Sequence, residues 1–168
     1  MKKAMFLLVP IMALFFASCG GSSSSTIENL EFPIAVDYSK SIKHYLKAGH
    51  YDYVNEDILF TSFSNDTKDT VISRTATLIT FNRSMTSEDI VVQLKNRGFR
   101  PGTAQELYAF GALYPRLQGE FSIIALGSVS SDSCVPVLYL VMGGSRLAHL
   151  WSWFGEWNSD YRFLAFKD

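Results

Sequence analysis

The chain has 168 residues and a formal net charge of −1, with 48% hydrophobic, 14% aromatic and 18% charged residues. Typical domains carry about 25% charged residues, so this chain is poor in charge and rich in aromatic rings. Its apolar content excludes a disordered tail. Its balanced charge excludes non-specific nucleic-acid binding, which needs clustered Lys and Arg. The length is typical of one domain.

The N-terminus has the pattern of a secretory signal. Lys2 and Lys3 provide a positive start, and residues 4–17 follow without a charge. This apolar run is too short to span a bilayer as a helix, which takes about 20 residues, but its length is typical of the apolar region of a signal peptide. Residues 1–18 are therefore predicted to be a signal peptide.

The end of this signal resembles the lipobox of bacterial lipoproteins, which type II signal peptidase cleaves. Ala17, Ser18 and Cys19 match that motif, whereas Phe16 stands where the family usually has Leu. The resemblance implies that the Cys19 thiol carries diacylglycerol and that Cys19 becomes the new N-terminus. Residues 19–30, which include the run GGSSSS, are predicted to be the lipidated cysteine and its tether. Two alternatives stay open: ordinary cleavage would give a soluble secreted protein, and no cleavage would leave a short anchor.

Processing at Cys19 would change the net charge of the chain, and the sequence after Cys19 predicts where the protein is located. Loss of Lys2 and Lys3 takes the net charge from −1 to −3, and no basic patch is left to attract anionic lipid. The lipid on Cys19 is then the link to the membrane. Without an acidic run after Cys19 as a surface-export signal, we expect a periplasm-facing position in the bacterial cell envelope rather than a surface-exposed one.

Residues 31–168 are predicted to form a single α+β domain, in which an antiparallel sheet packs with about three helices. The sheet is expected to consist of a hairpin and a C-terminal meander. The first helix is expected to be capped by Asp37 and to end at Gly49. Strands at 58–63 and 71–81, joined by a polar turn at 65–70, are predicted to form the hairpin.

Two further helices and four strands complete the prediction. Thr86 or Ser87 is expected to start the second helix, which ends before Gly98 at C′. Thr103 and Glu106 have the spacing of a capping box, which predicts the start of the third helix. The meander is predicted to use four consecutive strands, at 121–127, 135–142, 147–154 and 161–166.

Parts of the C-terminal half resemble segments of small uncharacterised bacterial proteins that end in a similar RFLAV-like strand. The matching segments are GFRP at 98–101, ELYAF at 106–110, ALGS at 125–128 and RFLA at 162–165. The resemblance implies one folded unit and no known activity.

No motif predicts a metal or cofactor site, because His44, His50 and His149 are dispersed and there is no CxxC or HExxH. The best nucleophile–base pair is Cys134 with His149, which lie on neighbouring predicted strands. The alternative, which we favour, is that Cys134 is a small buried hydrophobe and His149 a half-exposed polar residue, since no third group is in place to orient them.

The most informative surface is aromatic. His149, Trp151 and Trp153 alternate and are predicted to share one face of a strand. Trp157 follows in the next loop, and Arg162 lies on the last strand. These five residues are either part of the core, which we favour, or an exposed ligand-binding platform for a sugar ring or a protein partner.

The leading hypothesis is a lipid-anchored envelope protein that binds a partner and catalyses nothing. The partner would be another envelope protein, a toxin or enzyme to be inhibited, or a glycan; nucleic acid is not expected. The first alternative is a small envelope hydrolase or thiol enzyme that uses Cys134 and His149. The second is a structural envelope lipoprotein.

Overall fold

The structure is a computed structural model that describes residues 29–61, 63 and 70–168. The predicted signal peptide, Cys19, most of the predicted tether and most of the predicted turn at 65–70 lie outside the described residues. Strands β1–β10 are, in chain order, Leu30–Asp37, Tyr53–Val54, Val71–Ile79, Met85–Thr86, Phe99–Pro101, Ser122–Ile124, Cys134–Leu140, Arg146–Ser152, Glu156–Trp157 and Tyr161–Lys167. Helices α1–α4 are Ile42–Gly49, Asp57–Phe60, Ser87–Asn96 and Ala104–Leu113, and Leu117–Gly119 forms a 3-10 turn.

Local signals in the sequence start α3 and α4 where they were predicted. The Thr86 side chain accepts a hydrogen bond from the Asp89 N–H at the start of α3, and Gly98 follows its end with φ +75°. Thr103 and Glu106 form the reciprocal capping box of α4. Both predicted helix starts are confirmed.

The fold combines α-helices with a mostly antiparallel sheet. The large sheet has the strand order β1-β3-β10-β6-β7-β8-β2, and β5 pairs with β10 at one end. Within it, β10 pairs with β6 and β2 pairs with β8 in parallel, while the other neighbours are antiparallel. Strands β4 and β9 form a separate small sheet.

The predicted four-strand meander is wrong at its last strand. Strands β6, β7 and β8 do lie side by side, but β10 lies between β3 and β6 instead of beside β8. Its residues 163–166 are all buried, so both faces of β10 need cover. A central position provides that cover, whereas the edge beside β8 would leave part of the strand exposed.

The predicted hairpin of 58–63 with 71–81 is also wrong. Residues Asp57–Phe60 form the short helix α2, which follows a turn where the Asn55 side chain accepts the Asp57 N–H. This helical turn buries Ile58 and leaves Phe60 exposed. The neighbours of β3 are β1 and β10, and β1 was not predicted at all.

Asp37 ends a strand and does not cap the first helix. Its carboxylate accepts hydrogen bonds from the N–H and the hydroxyl of Ser39, which turns the chain after β1. The helix begins later, after Ser41, whose hydroxyl accepts the His44 N–H. The predicted end at Gly49 is confirmed.

The large sheet is covered on both faces. On the first face, α1, α2 and α4 pack over a cluster that includes Leu107, Phe110 and Leu164. On the second face, α3 and the small sheet pack over a cluster that includes Ile90 and Phe163. Adjacent residues of β10 therefore belong to different cores, as the alternation of a strand requires.

Candidate functional site

Strands β7 and β8 carry a group of rings on the second face of the sheet. In their antiparallel register His149 lies opposite Val137 and Trp151 lies opposite Val135. The ring centroids of Tyr139 and Trp151 are 5.0 Å apart. We call the partly exposed rings on this face the aromatic shelf; its members are Tyr53, Tyr139, His149, Trp151 and Trp153.

The aromatic shelf borders buried residues on the same face of the sheet. Val135 and Val137 of β7, which lie opposite Trp151 and His149, are fully buried, whereas Trp151 and Tyr139 are partly exposed. At its open edge, the short strand β2 places Tyr53, which is 51% exposed, with its ring stacked 6.2 Å from that of His149. Large aromatic rings with one face in contact and the other exposed are the residue types that concentrate binding energy at interfaces.

His149 is held by two hydrogen bonds that define its tautomer. Its Nδ1 lies 2.7 Å from the Leu150 carbonyl oxygen, which can only accept, so Nδ1 carries the proton. Its Nε2 then accepts from the Asn55 side-chain amide at 3.4 Å. Both ring nitrogens are therefore occupied, and the ring is fixed as part of the aromatic shelf.

Trp153 joins the aromatic shelf to the first turn of α3. Its indole N–H donates to the Glu88 carboxylate, and this bond helps to hold the pKa of Glu88 below its ordinary value, after the larger effect of a backbone hydrogen bond. Glu88 is exposed, so a negative charge borders the rings on this side.

Trp157 belongs to the core and not to the shelf surface. It is 4% exposed, and its indole N–H donates to the Ser87 hydroxyl at 2.8 Å. The same hydroxyl donates to the Trp153 carbonyl at 2.7 Å. The Trp157 indole stacks beneath Trp151 with centroids 6.2 Å apart, and therefore supports the shelf from inside.

Arg162 lies on the other face of the sheet from the tryptophans. It is next to Phe163 in β10, and neighbouring residues of a strand point to opposite faces. Its guanidinium lies over the Phe121 ring, 4.5 Å from the centroid, and donates to the Ser159 carbonyl. The five residues predicted to form one ligand-binding platform are therefore divided among the shelf surface, the core and the opposite face.

The structure does not bring Cys134 and His149 together. Cys134 lies opposite Ser152, three residues along β8 from His149, and an odd offset places two side chains on opposite faces of a sheet. The Cys134 thiol lies 3.6 Å from the Asp132 carbonyl oxygen. Among residues 29–61, 63 and 70–168, no group of three His, Cys, Asp or Glu side chains could hold a metal ion.

Sequence reasoning missed a charged cluster on the first face, because it explained Glu106 fully as a helix cap. The Glu106 carboxylate is 0% exposed and accepts two bonds from the Arg100 guanidinium, at 2.6 and 3.0 Å. It also accepts the Tyr38 hydroxyl at 2.5 Å and the Thr103 N–H at 2.8 Å. Burial works to raise the Glu106 pKa, but these bonds outweigh burial and hold the pKa below its ordinary value.

The same cluster perturbs Tyr38. Burial, together with the bond to Glu106, raises the pKa of the Tyr38 phenol to about 12. All four bonds reach the two oxygens of one carboxylate, which leaves Glu106 without a free acceptor for a substrate proton. The Tyr38–Arg100–Glu106 cluster therefore joins β5, α4 and the turn after β1.

Comparison of the chain with family models, with curated proteins and with solved structures gave no match. In the part of the chain that the structure describes, no helix is both long and apolar enough to cross a membrane.

Proposed function

We propose that the protein is a lipid-anchored binding protein of the bacterial cell envelope, attached through Cys19, that presents its aromatic shelf to a partner. The observation that carries the proposal is a group of partly exposed rings, fixed by hydrogen bonds at His149 and Trp153, beside buried valines on the same face of the sheet. Rings immobilised before binding lose little entropy when a partner arrives.

The separation of Cys134 from His149 favours this role over the thiol-enzyme alternative, which needs the pair in contact. An envelope protein suits the shelf best as a partner. The acidic border at Glu88 and the net charge of −3 after processing favour a partner with a basic contact surface.

Acylation is tested by metabolic labelling with an alkyne analogue of palmitate. We expect Cys19→Ala to abolish the label, because no other residue can replace the acylated thiol at the cleavage site. Unchanged labelling in this variant would refute the anchor.

Binding through the shelf is tested by site-specific photocrosslinking in the native host. A photoreactive amino acid is placed at Tyr53, which is 51% exposed on the shelf, and at Val71, which is 64% exposed at the start of β3, as the matched control away from β7 and β8. We expect a discrete adduct from position 53 that is absent from position 71. Mass spectrometry of the adduct then separates a protein from a glycan, and equal adducts from both positions would refute the shelf as the binding surface.

A further inference from the structure

We infer that the tip of the β7–β8 hairpin inserts into the lipid bilayer to which Cys19 attaches the protein. The tip consists of Leu140, Val141 and Met142, which are 38%, 37% and 102% exposed. We call these three residues the apolar tip. The inference rests on the proposed anchor at Cys19 and adds to it the surface by which the folded domain meets the membrane.

The turn that forms the apolar tip bonds part of its own backbone. Gly143 and Gly144 have φ of +101° and +89°, values that side-chain-bearing residues rarely adopt, and they reverse the chain directly after Met142. Two of the turn's backbone N–H groups are bonded within the turn: Val141 donates to Ser145 and Gly144 donates to Val141. Bonded backbone groups can leave water at a much lower cost than free ones.

Strand directions place the apolar tip at the end of the sheet from which the chain enters. Four strands run in the same direction: β1, β10, β6 and β8. Both β1 and β10 are antiparallel to β3, and β6 is parallel to β10. Strand β7 is antiparallel to β6, and β8 is antiparallel to β7, so β8 has the direction of β6. The start of β1 at Leu30 and the start of β8 at Arg146 therefore face the same end of the domain.

Two helices finish at the same end and add apolar surface. The Arg146 guanidinium donates to the carbonyls of Gly49 and Gly111, which lie in the last turns of α1 and α4. Leu113, the last residue of α4, is 55% exposed there. Among the described residues, no other connection between strands has three consecutive residues that are large, apolar and exposed.

The chain between Cys19 and Leu30 is long enough for the contact. Following the register across the sheet, Met142 lies about six residues beyond the level of Leu30, or about 20 Å along the strands. A chain from position 19 to position 30 spans at most about 40 Å. The lipid on Cys19 and the apolar tip can therefore occupy the same bilayer.

The exposed side chains at this end of the domain carry charges of both signs. Lys47 and Arg116 are exposed there, and so are Asp52 and Glu120. The contact is therefore with the apolar part of the bilayer and not with anionic headgroups, and we expect it to persist at high salt.

The test uses the full, acylated protein in vesicles of phosphatidylethanolamine and phosphatidylglycerol at three to one. In a Cys134→Ser background, the variant Met142→Cys carries an environment-sensitive nitrobenzoxadiazole label. The matched control is Phe154→Cys, which is 78% exposed in the turn after β8, at the other end of that strand. We expect at least a twofold rise in emission at position 142 on reconstitution, quenching by lipids with spin labels on the acyl chains, and no change at position 154.

Each outcome decides the inference. Equal and water-like emission at both positions in an acylated protein would overturn the insertion and leave the anchor intact. Loss of the position 142 signal in 0.5 M salt would contradict an apolar contact. A protein that fails to incorporate the palmitate analogue at Cys19 would overturn the anchor, and the insertion with it.

Discussion

Gly111 lies on the side of α4 that packs against Leu138 of β7. A Cβ atom at this position would clash with the Tyr51 hydroxyl and with the Leu138 side chain. Both neighbours are packed in the first core, so neither can move away cheaply. The small size of Gly111 therefore sets the distance between α4 and β7.

We predict that Gly111→Ala lowers the free energy of unfolding by about 1–3 kcal/mol, the usual effect of overpacking a core. Chemical denaturation followed by circular dichroism measures the change. The control is Gly119→Ala, since a Cβ there meets nothing within 4 Å. Equal stability of the Gly111→Ala variant and the unmodified protein would show that α4 can shift without strain.

Ser87 is a second small residue that determines local packing. Its buried hydroxyl accepts the Trp157 indole N–H and donates to the Trp153 carbonyl, so it links α3 to the chain after β8. We predict that Ser87→Ala destabilises the protein by about 1–3 kcal/mol, because the buried Trp157 indole N–H and the part-buried Trp153 carbonyl lose their partner. Thermal unfolding measures the effect. Ser73→Ala on β3, where the side chain is exposed, should leave the melting temperature unchanged.

At the scale of elements, the sequence predicts those that depend on near neighbours. The caps at Thr86 and Thr103 act within three residues, and both helices begin where these residues indicate. Strand β1 also had a local signal, the alternation of Leu30, Phe32, Ile34 and Val36, but Pro33 interrupts it and argues against a strand. Its place at the edge of the sheet, where a missing N–H is tolerated, explains why the proline is compatible with β1.

Elements that depend on distant partners were not predictable in the same way. Strand β10 lies between β3 and β6, and both of its faces are buried. The pattern of apolar residues in β10 would also be compatible with a covered edge strand, so the sequence alone does not determine its position. The same limit applies to the site. Alternation correctly placed His149 and Trp151 on one face, but only the register separates them from Cys134 and Arg162.

At the scale of the whole molecule, the Tyr38–Arg100–Glu106 cluster links stability to pH. The Glu106 pKa is below its ordinary value in the folded protein. Its charge therefore stabilises the fold above the unfolded pKa of about 4.5, and this contribution is lost as the pH falls through the lower folded value.

We predict that Glu106→Gln costs about 3 kcal/mol at pH 7, because Arg100 loses its buried partner. The difference from the unmodified protein should shrink as the pH falls below 4.5, where Glu106 itself becomes protonated on unfolding. Urea unfolding at pH 3, 4, 5 and 7 measures this. A difference that stays constant over this range would show that the Glu106 charge is not the source, and Glu120→Gln, which alters an exposed carboxylate, is the control.

The central position of the last strand has a consequence for how the protein is made. Phe163 pairs with Ile79 on one side of β10 and with Ile124 on the other, so the middle of the sheet cannot form until the strand that follows all the other described strands has left the ribosome. Until then β3 and β6 have no strand between them, and the two cores cannot close. A chain whose two cores stay open until β10 has been made remains unfolded while the strands before it are synthesised, and an unfolded chain is what the proposed export requires.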